Sequence, residues 1–296
     1  MTYQPNTISG DVTTLPKLPA WVTSGRAETP EDVAFLSGAA LSHLHLVVRH
    51  EAAPQVLLRA RLALRAAERC VVNTGRPERL AELRDAVGFL QPGDSPGPAG
   101  EVTLSWRHAV ERSISVKALY WALPNVNADQ IAIWLDAGQG APVARASTVL
   151  EAVLEDRPRD QTAALLLAEA ALAQALDWTH VLPLLAIGLK RGDLRKSGAD
   201  LRLACHRAIV SAATEAVREA AGLARRTERL RAIAPKLRAK GADEAVALFL
   251  SRDAVAPTAL TSLRSDRAAR RFCDRLVELG AVRELTGRDT FRLYGI

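Results

Sequence analysis

Apolar residues recur at three- and four-residue intervals along most of this chain, and proline, glycine and asparagine punctuate the runs. That spacing puts one apolar stripe on each of a series of helices. Thr29-Pro30-Glu31-Asp32 opens the first: Thr29 can cap, Pro30 fits the first helical position, and two acids lie in the first turn, where the helix dipole favours them. The pattern carries this helix to His50. Pro54 opens a second, through Leu57, Leu58, Leu62, Leu64 and Ala66 to Val72, and Pro77 opens a third to Leu90. Residues 91–100 hold three prolines and three glycines and predict a surface loop or a linker without regular structure. Helical spacing resumes over 102–123, 127–136, 142–156 and 160–176, with Asn127 and Asp160 as N-caps, and a turn over 177–183 leads to a further apolar stretch, Leu184–Leu189. Residues 200–233 predict one long helix, bent at Gly222, and residues 243–250 a shorter one.

The two ends of the chain read differently. Residues 1–28 carry Pro5, Pro16 and Pro19 without periodicity and predict an extended arm, with Trp21 as its anchor to a helical body over 29–235. Residues 236–296 predict a separate module. Its parts are a short helix from Pro257 to Leu263, a helix over Arg267–Leu279 capped by Ser265-Asp266 and closed by Gly280, and a hairpin. The hairpin strands are Ala281–Leu285 and Thr290–Tyr294 around the turn Thr286-Gly287-Arg288-Asp289, with Phe291 and Leu293 on one face to close over the helix. Phe272, Leu276 and Leu279 give the 267–279 helix its apolar face, and Arg267, Arg270, Arg271 and Arg275 point away from it. Helix, short turn, basic helix and hairpin follow one another as in a winged helix-turn-helix. The expected fold is therefore mostly α: an Ala/Leu-rich multi-helix body followed by a C-terminal winged helix with a short hairpin wing.

Composition supports helices. Only 4% of the 296 residues are aromatic while 48% are hydrophobic, so the core must be built from Ala, Leu and Val. Charge is unevenly placed. Residues 1–217 carry 22 basic and 23 acidic side chains, and residues 218–296 carry 17 and 10, so the net +6 belongs to the C-terminal quarter. That asymmetry points to a polyanion partner for the end of the chain. Cys70, Cys205 and Cys273 are odd in number and far apart, which excludes a disulfide framework and implies a reducing, cytoplasmic setting. Neither a membrane span nor a signal peptide is expected.

Several stretches carry a family resemblance. They are Gln91–Gly100, Leu223-Ala-Arg-Arg-Thr-Glu-Arg-Leu-Arg-Ala-Ile-Ala-Pro-Lys-Leu-Arg-Ala-Lys-Gly241, Ser265-Asp-Arg-Ala-Ala-Arg-Arg271 and Gly280-Ala-Val-Arg-Glu-Leu-Thr-Gly-Arg-Asp-Thr-Phe-Arg-Leu-Tyr-Gly295. Together they resemble the bacterial family known as domain of unknown function 1403, over most of the chain after the arm. The resemblance implies a protein often carried on plasmids of GC-rich bacteria, and it transfers no functional residue.

The residues assemble no catalytic set. His43 and His50 share a helix face, His45 lies on the other side, and neither HExxH nor a cysteine pair is present to complete a metal site. Cys205 and His206 are adjacent, so their side chains diverge on a helix. Gly138-Gln139-Gly140 lacks the preceding strand of a phosphate loop, and Trp106, Tyr120, Trp121 and Trp134 read as core anchors. Neither a cofactor nor a metal is expected. The leading expectation is DNA binding through Arg267, Arg270, Arg271 and Arg275, extended by Arg283, Arg288 and Arg292 of the hairpin. The alternative is a non-catalytic scaffold that docks protein and dimerises through the 200–233 helix; an enzyme with its site in the helical body is the third.

Overall fold

The computed structural model describes residues 15–24, 27–91, 93–288 and 290–296. Half of the expected arm, residues 1–14, lies outside that set, as do residues 25, 26, 92 and 289. The described residues are mostly α-helical. In chain order the helices are α1 (Ala20–Ser24), α2 (Pro30–Arg49), α3 (Gln55–Asn73), α4 (Leu80–Gly88), α5 (Gly97–Glu111), α6 (Val116–Ala122) and α7 (Ala128–Asp136). They continue as α8 (Pro142–Asp156), α9 (Gln161–Ala175), α10 (Leu185–Gly188), α11 (Gly198–Ile233), α12 (Ala242–Ser251) and α13 (Asp266–Glu278). One small antiparallel sheet follows, β1 (Arg283–Glu284) with β2 (Tyr294–Gly295).

Local chemistry sets most helix starts. Thr29 Oγ1 accepts from the Asp32 N–H at 3.1 Å, and the Asp32 carboxylate accepts from the Thr29 N–H at 2.9 Å, a reciprocal capping box. Asn127, Asp160 and Ser265 cap α7, α9 and α13 through their side-chain oxygens. Other boundaries move. The third helix starts at Leu80 rather than Pro77, because Glu82 accepts from the Arg79 N–H at 3.0 Å and Glu68 of α3 accepts from the Leu80 N–H at 3.2 Å. The helix expected over 102–123 is two, since the Ser115 hydroxyl accepts from the Ala118 N–H at 3.1 Å and starts α6 afresh. The 91–100 segment is not irregular throughout: Gly97–Gly100 form the first turn of α5, and the prolines and glycines before them turn the chain between α4 and α5, which pack together. Before α2, Leu15 and Val22 are the buried anchors, while Trp21 is half-exposed and stacks on Phe35 at 5.7 Å.

The core is centred on α9, whose residues Ala163–Ala173 are all buried. A helix apolar on every side must be covered on every side, and α5, α7, α8 and α10 cover this one. From α9 itself one charged side chain enters that core. Glu169 is fully buried and accepts from the Leu184 and Ala186 N–H groups at 2.6 and 3.0 Å, which ties α9 to the start of α10. Next to it, α10 meets α11 so closely that a Cβ on Gly188 would clash with the Ala208 carbonyl.

The long helix α11 runs unbroken through Gly222. Leu201, Ala204, Ala208, Ala212, Ala216 and Ala220 line its inner face, and α2, α3, α8 and α10 of the same chain pack on it. This inner stripe is thus covered by the chain itself. No helix among the described residues is long and apolar enough to cross a membrane.

Candidate nucleic-acid interface

The C-terminal segment builds a small sheet from three short pieces of chain. Arg283 pairs with Gly295 and Glu284 with Tyr294 across β1 and β2. On its other side Tyr294 exchanges two backbone hydrogen bonds with Val255, at 2.8 and 2.9 Å, so Val255 adds a one-residue third strand. Between Val255 and α13, the helix expected over 257–263 is only a 3₁₀ turn at Pro257–Ala259. Ser262 donates to the Gly241 carbonyl at 2.9 Å, a tertiary bond that holds this stretch against the start of α12.

Ser265 caps α13 by accepting from the Ala268 N–H at 3.3 Å. The helix ends in a Schellman turn: Gly280, with φ +63°, donates to Val277 O at 2.8 Å, and Ala281 donates to Leu276 O at 2.9 Å. A side chain at Gly280 would be strained in that left-handed conformation. The buried face of α13 is Ala269, Phe272, Cys273 and Leu276, and Leu279 is only half-buried.

The seven arginines expected at the interface fall into different environments. Arg267, Arg270 and Arg271 are exposed on the N-terminal half of α13, and no acidic side chain of the described residues pairs with them. Arg275 is exposed and pairs with Glu278 at 2.9 Å, one turn along the helix. Arg288 pairs with Asp85 of α4 at 2.7 Å and lies over the Phe89 ring. Arg292 donates to the Arg288 carbonyl at 2.8 Å. Arg283 lies toward the body, where burial first, and then the guanidinium groups of Arg226, Arg61 and Arg84, push its pKa down. Sequence reasoning passed over Arg264, which is exposed immediately before the Ser265 cap and extends the Arg267/Arg270/Arg271 cluster.

The hairpin loop closes on α4 rather than over α13. Phe291 is 72% exposed, has φ +53°, and meets Phe89 edge-on at 5.8 Å. That left-handed backbone cannot continue an extended strand, which is why β2 is only Tyr294–Gly295 and not the expected Thr290–Tyr294. Leu293 is buried against Gly88 of α4. A charged network fastens the same region to the body. Asp253 forms ion pairs with Arg61 of α3 and with Arg84 of α4, the latter at 2.6 Å. Arg61 and Arg226 both donate to the backbone oxygen of Ile296, at 3.2 and 3.3 Å.

A family model described as a protein of unknown function, DUF1403, matches residues 6–296. The chain belongs to the DUF1403 family. A search of curated proteins finds no match to it. That family description assigns no activity, so any function of this DUF1403 protein has to be read from its side chains. Its clustered histidines have separate partners: His43 contacts Pro16 O at 3.1 Å, His45 accepts from Trp178 at 2.9 Å, and His50 accepts from the Ala52 N–H at 3.2 Å. No group of three His, Cys, Asp or Glu among the described residues could hold a metal ion. Of the four aromatics expected in the core, Trp106 and Trp134 are buried, but Tyr120 and Trp121 are surface residues, with Trp121 between His108 and Arg112.

His206 Nδ1 lies 2.5 Å from Ser37 Oγ, a pairing the sequence did not suggest. Ser37 is fully buried and its hydroxyl donates to Ala34 O at 2.9 Å, which does not make it a nucleophile open to substrate. The three cysteines are buried, and burial pushes Cys70 up to about 11 and Cys205 and Cys273 up to about 12. Thiolate is the reactive form. A thiol-specific chromogenic reagent is therefore expected to label none of the three in the native DUF1403 protein within minutes at pH 8, and all three in denaturant. Fast labelling of the native form would contradict this packing.

Proposed function

We propose that this DUF1403 protein binds DNA through α13, and that α12, the turn before α13, α13 and the hairpin constitute a winged helix-turn-helix. The reading rests on one observation above others: Arg267, Arg270 and Arg271 are exposed, unpaired with acids among the described residues, and grouped on the N-terminal half of the second helix, opposite its buried face. In helix-turn-helix modules it is the N-terminal part of that helix that meets base edges in the major groove. Arginine suits the task, since its planar fork makes bidentate contacts to guanine or phosphate. The uneven charge agrees, with the net positive charge carried by residues 218–296. Val255, between α12 and α13, supports the winged-helix reading by adding a third strand to the small sheet beside Tyr294. In this proposal Arg264 joins the interface, and Arg288 is a hinge to α4 rather than a DNA contact.

The test is fluorescence anisotropy on a duplex of mixed sequence across a salt series. Wild-type affinity falls steeply with salt. Arg270→Ala combined with Arg271→Ala lowers affinity at least tenfold and reduces the log–log salt slope by roughly two, about 0.9 for each phosphate no longer neutralised. Unchanged affinity in the double variant overturns the proposal. One observation favours a second reading, a scaffold whose C-terminal module docks protein. The hairpin loop is already engaged against α4 through Arg288–Asp85 and Phe291–Phe89. Absence of any mobility shift at low salt would favour it.

A further inference from the structure

Arg49 and Arg59 line one open cavity of about 220 Å³, formed by the end of α2, the start of α3 and the segment that leaves α9. That segment is set by a second Schellman turn. Asp177, with φ +55°, donates to Gln174 O at 3.2 Å, and Trp178 donates to Ala173 O at 2.8 Å, so the chain reverses and delivers Trp178, Thr179 and His180 to the cavity wall.

Both guanidinium groups lack anionic acceptors there among the described residues. Arg59 uses Nε on the Val110 carbonyl at 3.1 Å, and its two terminal nitrogens have no partner among the described residues. Arg49 is worse placed than its single contact suggests. Trp178 Nε1 donates to His45 Nδ1 at 2.9 Å, and an indole N–H can only donate. Neutral His45 therefore carries its hydrogen on Nε2, and it is this nitrogen that Arg49 approaches at 3.2 Å, donor facing donor. Asp177, the acidic residue lining the cavity, forms no ion pair with either arginine. Beside Arg59, the His180 ring is pushed toward its neutral form, by burial first and by the Arg59 charge second. Leu58, Val48 and Leu182 supply an apolar wall next to Trp178.

We propose that this cavity binds a small organic anion, a carboxylate or phosphate monoester on a single flat ring, with the anionic group between Arg49 and Arg59 and the ring against Trp178 and Leu58. The anion is the acceptor that both guanidinium forks lack. Size permits it, since a dry cavity of about 150 Å³ already admits benzene. The proposal does not rest on DNA binding, because no residue of the cavity belongs to 236–296.

Isothermal titration of the full chain with benzoate, phenyl phosphate and neutral benzamide tests it. One of the two anions binds saturably, the tighter of them identifying the headgroup, and benzamide binds at least tenfold more weakly. Arg59→Gln lowers the anion affinity tenfold or more. Arg49→Gln lowers it several-fold, and Asp177→Asn, which removes the opposing charge, raises it. The last two residues are exposed, so their variants keep the test open if Arg59→Gln fails to fold. Failure of both anions to saturate by about 10 mM, a binding energy below about 3 kcal/mol, overturns the proposal. So does equal binding of benzamide, or unchanged affinity in both arginine variants.

Discussion

Replacing Asp253 with alanine lowers the stability of the fold by about 3–5 kcal/mol, the cost of leaving buried charge without its partner. Asp253 is the shared counter-ion of Arg61 and Arg84, and all three side chains are at most 13% exposed. Arg61 keeps a weaker contact to Glu219 at 3.5 Å and one to Ile296 O at 3.2 Å, neither of which replaces a full negative charge at its Nε. Arg84 keeps no acidic partner among the described residues. The loss has a location, because Asp253 joins α12 to the Val255 strand while its two arginines come from α3 and α4. Amide exchange in residues 242–296 is therefore expected to accelerate more than exchange in α9. Chemical denaturation with exchange mass spectrometry reads both. A loss under about 1 kcal/mol, within the range of exposed ion pairs, would mean that the network is solvated and does not hold the C-terminal region in place.

Glu169→Gln removes a pH dependence that the wild type has. Burial raises the Glu169 carboxyl from its ordinary 4.5 to about 8, even though the Leu184 and Ala186 N–H groups favour the anion. Its other oxygen, Oε2, has no partner among the described residues. The folded state thus keeps its proton over a pH range in which the unfolded chain has lost it. Folded stability from this group is complete below pH 4.5 and declines as pH rises to about 8. Above that it is constant, because both states are then ionised. At 1.36 kcal/mol per unit the decline is on the order of 5 kcal/mol. The amide of glutamine has the same shape and does not titrate. The difference in unfolding free energy between wild type and Glu169→Gln is therefore expected to move in favour of the variant by that order across the window. Parallel stability profiles for the two proteins would show that Glu169 is ionised in the fold, or solvated.

Helix positions are largely legible in the sequence, because the signals that set them are local. Thr29, Asn127, Asp160 and Ser265 each cap the helix whose start they mark. Boundaries depart from the local signals where a distant group intervenes. Glu68, on α3, delays the start of α4, and Ser262 is drawn to Gly241 where a helix was expected. Gly97–Gly100 looked like linker by composition, yet they open α5, because packing against α4 outweighs the poor propensity of glycine.

The candidate sites divide in the same way. Sequence alone places Arg267, Arg270 and Arg271 opposite an apolar face, since a 3.6-residue period separates the two sides of one helix whatever surrounds it. It also determines that the chain is a helical protein whose positive charge is concentrated near its end. Tertiary structure alone decides which charges remain available. Arg288 is engaged by Asp85, and Arg61 and Arg84 by Asp253, while Arg49 and Arg59 reach a common cavity with no acid of the described residues paired to them. Ion pairing acts through distances of a few ångströms between residues far apart in the chain, and no local pattern encodes those distances.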